Sequence, residues 1–289
     1  MIRRRILLIA AGTAVAAGAL YFGAGEVLSR PASRAVGQPP TYFPAKVVRI
    51  DTSPGQFVVG WFARGEPSRG AVLLLHGVRA DRTQMLRRAQ FLAKAGYSTL
   101  LIDLPAHGES SGRRITFGAK EGAGVLAALG FLHRELPAER IGVIGVSLGA
   151  ASTVLSNPQP APAAVVIESM YPTIEEAVRD RLAMRLGGLG AELAPVLLWQ
   201  LPLRTDVKAE DLRPIEKLPN LGSPLLVVSG AEDRHTTWAE TQRIYDVARA
   251  PKEIWQVARA AHVDLHAYAP EEYETKILRF LAKHLRNEA

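Results

Sequence analysis

Arg140-Ile141-Gly142-Val143-Ile144-Gly145-Val146-Ser147-Leu148-Gly149-Ala150-Ala151 is the stretch on which the reading of the whole chain turns. Its first half is apolar and fits a strand covered on both faces. Its last residues are small and can open a helix. Between them lies G-x-S-x-G, with Gly145 and Gly149 two residues to either side of Ser147. A strand that passes into a helix in so few residues strains the serine backbone and lifts its hydroxyl clear of the sheet. The glycines are needed because a Cβ there would strike the neighbouring strand and helix. The helix N-terminus behind the serine favours negative charge. A pentapeptide of small residues is common by chance, so its meaning depends on this context and on a base and an acid elsewhere.

Outward from this point, strands and helices alternate. Downstream, Ala164–Glu168 is a further apolar strand. Upstream, Ala71–His76 and Tyr97–Asp103 are continuous apolar strands, with Asp81 placed to cap a helix reaching about Ala95. Leu104–Gly112 is a loop, and Ala119–Leu136 is a helical pattern that Pro137 stops. Lys46–Ile50 and Gln56–Ala63, joined by Asp51-Thr52-Ser53-Pro54-Gly55, read as a hairpin at the sheet edge. From residue 171 to about 219 the strand rhythm gives way to a helix-prone insertion. It resumes with strand Pro224–Ser229, helix Trp238–Ala248, strand Glu253–Val257 and a last helix near Pro270–His284. This order predicts an α/β protein, a doubly wound and mostly parallel sheet with an antiparallel entry.

The 289 residues suffice for one large domain, expected over residues 45–289. The net charge of +7 comes mostly from scattered arginines without interleaved aromatics, which argues against nucleic acid as a partner. There is no cysteine, which excludes disulfides, thiolate metal sites and a cysteine nucleophile. Arg3-Arg4-Arg5 precede an uncharged run from Ile6 to Gly25, about the length that spans a bilayer. Residues 1–28 are therefore expected to be a membrane anchor with the domain on the extracytoplasmic side. The alternative is a cleaved signal peptide, for which Ala14-Val15-Ala16 and Ala17-Gly18-Ala19 offer sites. Residues 29–44, with four prolines, read as a linker.

A nucleophilic serine needs a base within hydrogen-bond reach and a carboxylate to orient it. In doubly wound sheets the reactive loops leave the carboxyl ends of the strands. The loop after Pro224–Ser229 carries Asp233, and the loop after Glu253–Val257 carries His262. Glu232 is the substitute acid, and His266 the rival base, although it reads as part of the following helix. His76 and His107 fall in loops beside the site, whereas His133, His235 and His284 read as surface residues.

Taken together, Leu74-Leu75-His76-Gly77, Asp103-Leu104-Pro105-Ala106-His107-Gly108-Glu109-Ser110, Gly145–Gly149, Gly230-Ala231-Glu232-Asp233 and Ala261-His262 resemble the α/β-hydrolase superfamily. The likeness is to its serine esterase, lysophospholipase and acylglycerol lipase-like members. It spans roughly residues 45–287, and the order Ser, Asp, His is that of the superfamily. One departure is Ala261, where the family often has glycine. The resemblance implies an eight-stranded sheet with a helical cap at the 171–219 insertion. It implies catalysis by Ser147, Asp233 and His262, with an oxyanion hole from the N–H groups of Val78 and Leu148. No metal or cofactor is needed. The expected reaction is cleavage of carboxylic esters, small or lipid, through an acyl-enzyme. A thioesterase, a peptidase or a catalytically silent membrane-tethered binding protein could use the same framework. Arg79 and Arg82, beside the oxyanion loop, are either solvated or an attraction for an anionic head group. The sequence leaves acyl-chain length and oligomeric state open.

Overall fold

Ala71–Leu75 (β4) consists of five buried apolar residues in a row, which leaves neither face of the strand for water. Its side chains divide between two cores. Leu73 and Leu75 join one on one face of the sheet, and Val72 and Leu74 join another on the opposite face. A strand of this kind belongs in the middle of a parallel sheet covered by helices on both sides.

The computed structural model describes residues 12, 18, 19 and 21–286. The other strands are β1 (Ala32–Ser33), β2 (Lys46–Ser53), β3 (Gln56–Ala63), β5 (Ser98–Ile102), β6 (His107–Gly108), β7 (Ile141–Val146), β8 (Ala164–Glu168), β9 (Leu225–Gly230) and β10 (Lys252–Val257). Among the described residues the main sheet has eight strands in the order β10-β9-β8-β7-β4-β5-β3-β2. Only β2 with β3 and β3 with β5 run antiparallel. Register pairs Leu75 with Gly145, so the carboxyl ends of β4 and β7 lie side by side. The chain leaves β4 toward β5 on one side and returns to β7 on the other. This reversal opens a crevice at the carboxyl edge, where ligands of doubly wound folds bind.

The helices follow from caps and stops. Residues 21–29 are helical (α1). Asp81 accepts the Thr83 N–H at 2.9 Å and so starts a short 3₁₀ turn that runs into Leu86–Lys94 (α2). Glu121–Glu135 (α3) ends before Pro137. Leu148–Ser156 (α4) follows β7 directly. Between β8 and β9 lie Ile174–Leu186 (α5), Gly188–Ala191 (α6), Ala194–Trp199 (α7), Leu201–Thr205 (α8) and Pro214–Lys217 (α9). Gly187 at φ 73°, Pro195 and Pro202 break this insertion into short pieces, since glycine permits the left-handed turn and proline opens each new helix. Trp238–Val247 (α10), Leu265–Tyr268 (α11) and Pro270–Leu285 (α12) complete the domain.

Two expectations change here. Residues 29–44 do not form a spacer held away from the domain. Ala32–Ser33 pair in parallel with His107–Gly108, Phe43 is buried, and the Trp61 indole N–H donates to Gly37 O at 3.1 Å. The prolines that suggested a free linker instead keep this strap extended against the surface. Arg82 is not solvated: it is 0% exposed, paired with Asp103 and, at 2.5 Å, with Glu109. Its cationic plane also lies 4.9 Å from the Trp61 ring. A guanidinium is buried this deeply only when its donors meet anionic or carbonyl partners. The expected membrane or signal segment, residues 1–28, lies mostly outside the described residues. Among the described residues no helix is long and apolar enough to cross a membrane.

Candidate active site

Ser147 follows β7 directly and is the N-cap of α4, with φ 49° and ψ −104°. A non-glycine residue held there stores about 1–3 kcal/mol of strain. Its surroundings enforce the conformation: the Ser147 N–H donates to Glu168 O of the adjacent strand at 2.8 Å. A Cβ on Gly149 would stand 2.6 Å from Leu75 Cβ and O, and one on Gly145 would stand 2.5 Å from Ala150 N. Only glycine fits at either place. Ser147 is 7% exposed, and among the described residues its hydroxyl makes no hydrogen bond. Leu148 is the first residue of α4, so its N–H has no partner within the helix.

Asp233 and His262 come from the loops that follow β9 and β10, as their strand positions require. His262 Nδ1 and Asp233 Oδ2 are 2.8 Å apart. Asp233 Oδ1 accepts the N–H groups of His235 at 2.8 Å and Thr236 at 3.0 Å. Burial pushes the Asp233 carboxyl up, but the hydrogen bond and charge of His262, with these backbone donors, outweigh it and leave it below its usual value. An ionised carboxylate accepts, so Nδ1 of His262 carries a proton and Nε2 is left to act as an acceptor. Glu232 is exposed, and His266 turns away to pair with Glu274 at 2.9 Å.

On the β4 side, the Ala80 N–H donates to Gly77 O at 3.3 Å and closes a turn with Val78 and Arg79 at its centre. No hydrogen bond among the described residues uses the Val78 N–H. Gln84 Oε1 accepts the Gly77 N–H at 2.7 Å. His76 is fully buried: its Nε2 accepts the Leu104 N–H at 3.0 Å, so its Nδ1 donates to Gly77 O at 2.7 Å. Burial, reinforced by the neighbouring His107, lowers the His76 pKa to about 3, so this ring is a neutral strut. Its role beside the Gly77–Ala80 turn is therefore structural.

One residue here had no signal in the sequence. His235, expected at the surface, stacks on His262 with ring centroids 4.6 Å apart and planes inclined by 39°. Burial and the charges of His262, Arg181 and Arg185 lower its pKa, while Asp233 opposes them. Among the described residues, no group of three or more His, Cys, Asp or Glu side chains is placed to hold a metal ion.

Residues 72–275 match the model of the alpha/beta hydrolase family. The chain belongs to this family. Rv2307c of Mycobacterium tuberculosis is 29% identical over 240 residues, covering 82% of this hydrolase and 79% of the relative. YqkD of Bacillus subtilis is 21% identical over 240 residues, covering 80% and 77%. Among solved structures, an esterase from Pyrococcus furiosus superposes with a TM-score of 0.72 at 24% identity, over 89% of the hydrolase and 98% of that chain. An esterase from Thermogutta terrifontis superposes with a TM-score of 0.61 at 20% identity, over 83% and 100%. At these identities the structural likeness is one of fold.

Proposed function

We propose that this hydrolase cleaves carboxylic esters through an acyl-enzyme. The observation that carries the reading is the strained Ser147 turn at the end of β7, on the same sheet edge as the paired His262 and Asp233. In this reading Nε2 of His262 takes the hydroxyl proton as Ser147 Oγ attacks the ester carbon. Asp233, ionised and fixed by two backbone N–H groups, holds the imidazole in the required tautomer and steadies the imidazolium. The N–H groups of Val78 and Leu148 stabilise the oxyanion, each worth about 3 kcal/mol in comparable sites. The tetrahedral adduct collapses as His262 protonates the departing alcohol. Water, deprotonated by the same imidazole, then releases the acid.

The two structural neighbours described as esterases agree with an ester substrate. Its class is a small-molecule or lipid ester, the latter as in lysophospholipases and acylglycerol lipases. The uncharged run Ile6–Gly25 behind three arginines supports a membrane anchor that would place the domain among lipid esters. Its test is fractionation: a mature chain keeping its first residues in the membrane fraction supports the anchor, and a soluble chain beginning near Leu20 supports a cleaved signal. For the chemistry, the intact protein is treated with a fluorophosphonate and then assayed on p-nitrophenyl esters from acetate to octanoate. Stoichiometric modification at Ser147 with loss of turnover is expected. Modification elsewhere, or turnover that survives modification, would remove Ser147 from this role.

A further inference from the structure

We propose that the N-terminal strap belongs to the active site, and that Arg34 is a positioning residue which sets the oxyanion loop. The inference rests on the reading of Val78 as an oxyanion donor. Val78 sits in the Gly77–Ala80 turn next to Arg79, a non-glycine residue at φ 61°. Side chains rarely adopt that conformation unless neighbours hold them in it. Gln84 and His76 fix the Gly77 end of the turn. The far end is held from outside the domain's sheet.

Arg34 supplies that hold. Its Nη2 donates to Arg79 O, while its Nε pairs with Asp81 Oδ2 at 3.2 Å. One planar fork therefore bridges the carbonyl behind the turn and the carboxylate that opens the following 3₁₀ helix. Lysine, with a single ammonium, cannot span both in fixed geometry. The Arg34 backbone is itself pinned, because its N–H donates to Gly108 O at 2.9 Å and the Ala32 N–H donates to Ala106 O at 2.8 Å. Further along, Glu109 Oε1 accepts the N–H groups of Val36 at 3.1 Å and Gly37 at 3.0 Å, and Arg82 Nη2 donates to Gly37 O at 3.0 Å. Arg79 reaches the other way, donating from its guanidinium to Val27 O in α1. The turn that presents Val78 is thus clamped by residues on both sides of Ser29.

The family match begins at residue 72, so Val27 and Arg34 lie before the segment it covers. The part that holds one oxyanion donor comes from a stretch whose sequence reads as a linker. A misplaced N–H would weaken binding of the tetrahedral oxyanion and leave ground-state ester binding nearly untouched.

The test uses the full chain with Arg34→Ala and Arg34→Lys, each checked for folding by circular dichroism. Measurements are kcat and KM on a p-nitrophenyl ester, and the inhibition constant of a trifluoromethyl ketone, which forms the tetrahedral adduct. Arg34 is about half exposed, so both variants should fold. Arg34→Ala is expected to lower kcat by about tenfold or more with KM within about twofold, and to weaken the ketone by a similar factor. Arg34→Lys should recover only part of the loss. A lowered melting temperature with kcat and ketone affinity unchanged would overturn the proposal, and so would failure of both variants to fold. If the wild type is modified at Ser147 and turns over esters while Arg34→Ala behaves identically, the strap has no such role and the esterase reading stands. If the wild type does neither, the esterase reading falls and takes the strap proposal with it.

Discussion

Ser147 contributes a hydroxyl and almost no packing volume, so Ser147→Ala should leave the fold intact. Ester turnover should fall by about 10⁶-fold, the scale seen when a triad member that acts as part of a unit is removed. His262→Ala should be comparably inactive. His266→Ala should be far milder, because that ring is committed to Glu274 beside α12. Steady-state kinetics on one short ester separates the three variants, and the reverse ranking of the histidines would reassign the base. The glycines are a different matter. Gly149→Ala places a methyl group against the Leu75 backbone, which cannot move without disturbing β4. It should cost both stability and turnover.

Within the insertion between β8 and β9, Asp180 on α5 lies against Glu240 of α10, and burial together with that second carboxylate pushes its pKa up to about 7. An unfolded aspartate titrates at about 3.9, so between that pH and about 7 the native state keeps a proton the unfolded chain has released. This contribution to stability is present in acid and is lost as pH rises through the window. Asp180→Asn mimics the protonated acid at every pH. Its urea midpoint should match the wild type below about pH 4 and exceed it by a margin that grows up to about pH 7; a constant difference would mean that the Asp180 pKa is not raised. Two neighbours on α7 also part company. Leu198 packs against the core, whereas Trp199 is 65% exposed. Trp199→Ala should therefore leave the melting temperature within a degree or two of wild type. If Trp199 lines an acyl path, octanoyl turnover should fall while acetyl turnover holds, since each buried CH₂ is worth about 0.8 kcal/mol. Equal effects on both esters would limit it to the surface.

At the scale of the molecule, one buried cation ties three regions together. Arg88 on α2 donates to both carboxylate oxygens of Glu168, at 3.1 and 2.7 Å, and pairs with Asp264 at 2.9 Å in the loop after His262. Tyr273 of α12 donates to the same Glu168. Since Glu168 O also receives the Ser147 N–H, this network supports the serine strand and the histidine loop together. Arg88→Met would leave Glu168 charged and buried without its partner, at a cost of about 3–5 kcal/mol. Denaturant unfolding measures this directly, and a loss below about 1 kcal/mol would mean that water reaches Glu168 instead. The strap makes a second whole-molecule prediction. A chain beginning at Tyr21 should keep turnover, whereas one beginning at Pro40 loses β1, Arg34 and the Gly37 contacts and should lose most of its kcat. Equal activity of the two would make the strap dispensable.

The apolar runs of β4, β5, β7, β8 and β9 were legible because a strand buried on both faces is mostly apolar, its few polar residues, such as Ser98, Glu168 and Ser229, falling toward the ends. The Ser147 turn was legible because its two glycines are steric necessities that leave a fixed spacing in the chain. Asp233 and His262 could be located from strand order alone, since the loops of a parallel sheet emerge at one edge. Their 2.8 Å approach, however, is a fact of the folded chain. The rest was decided by tertiary packing. Arg82 reads as a surface charge until Asp103 and Glu109 converge on it, and His235 reads as a surface histidine until the His262 ring settles against it. Residues 29–44 carry the composition of a linker, because proline and small polar residues suit an extended chain whether it is solvated or docked. Which of the two occurs depends on partners scattered from Trp61 to Glu109. Local sequence sets what a segment can adopt, but groups far away in the chain decide whether its polar atoms meet water or one another.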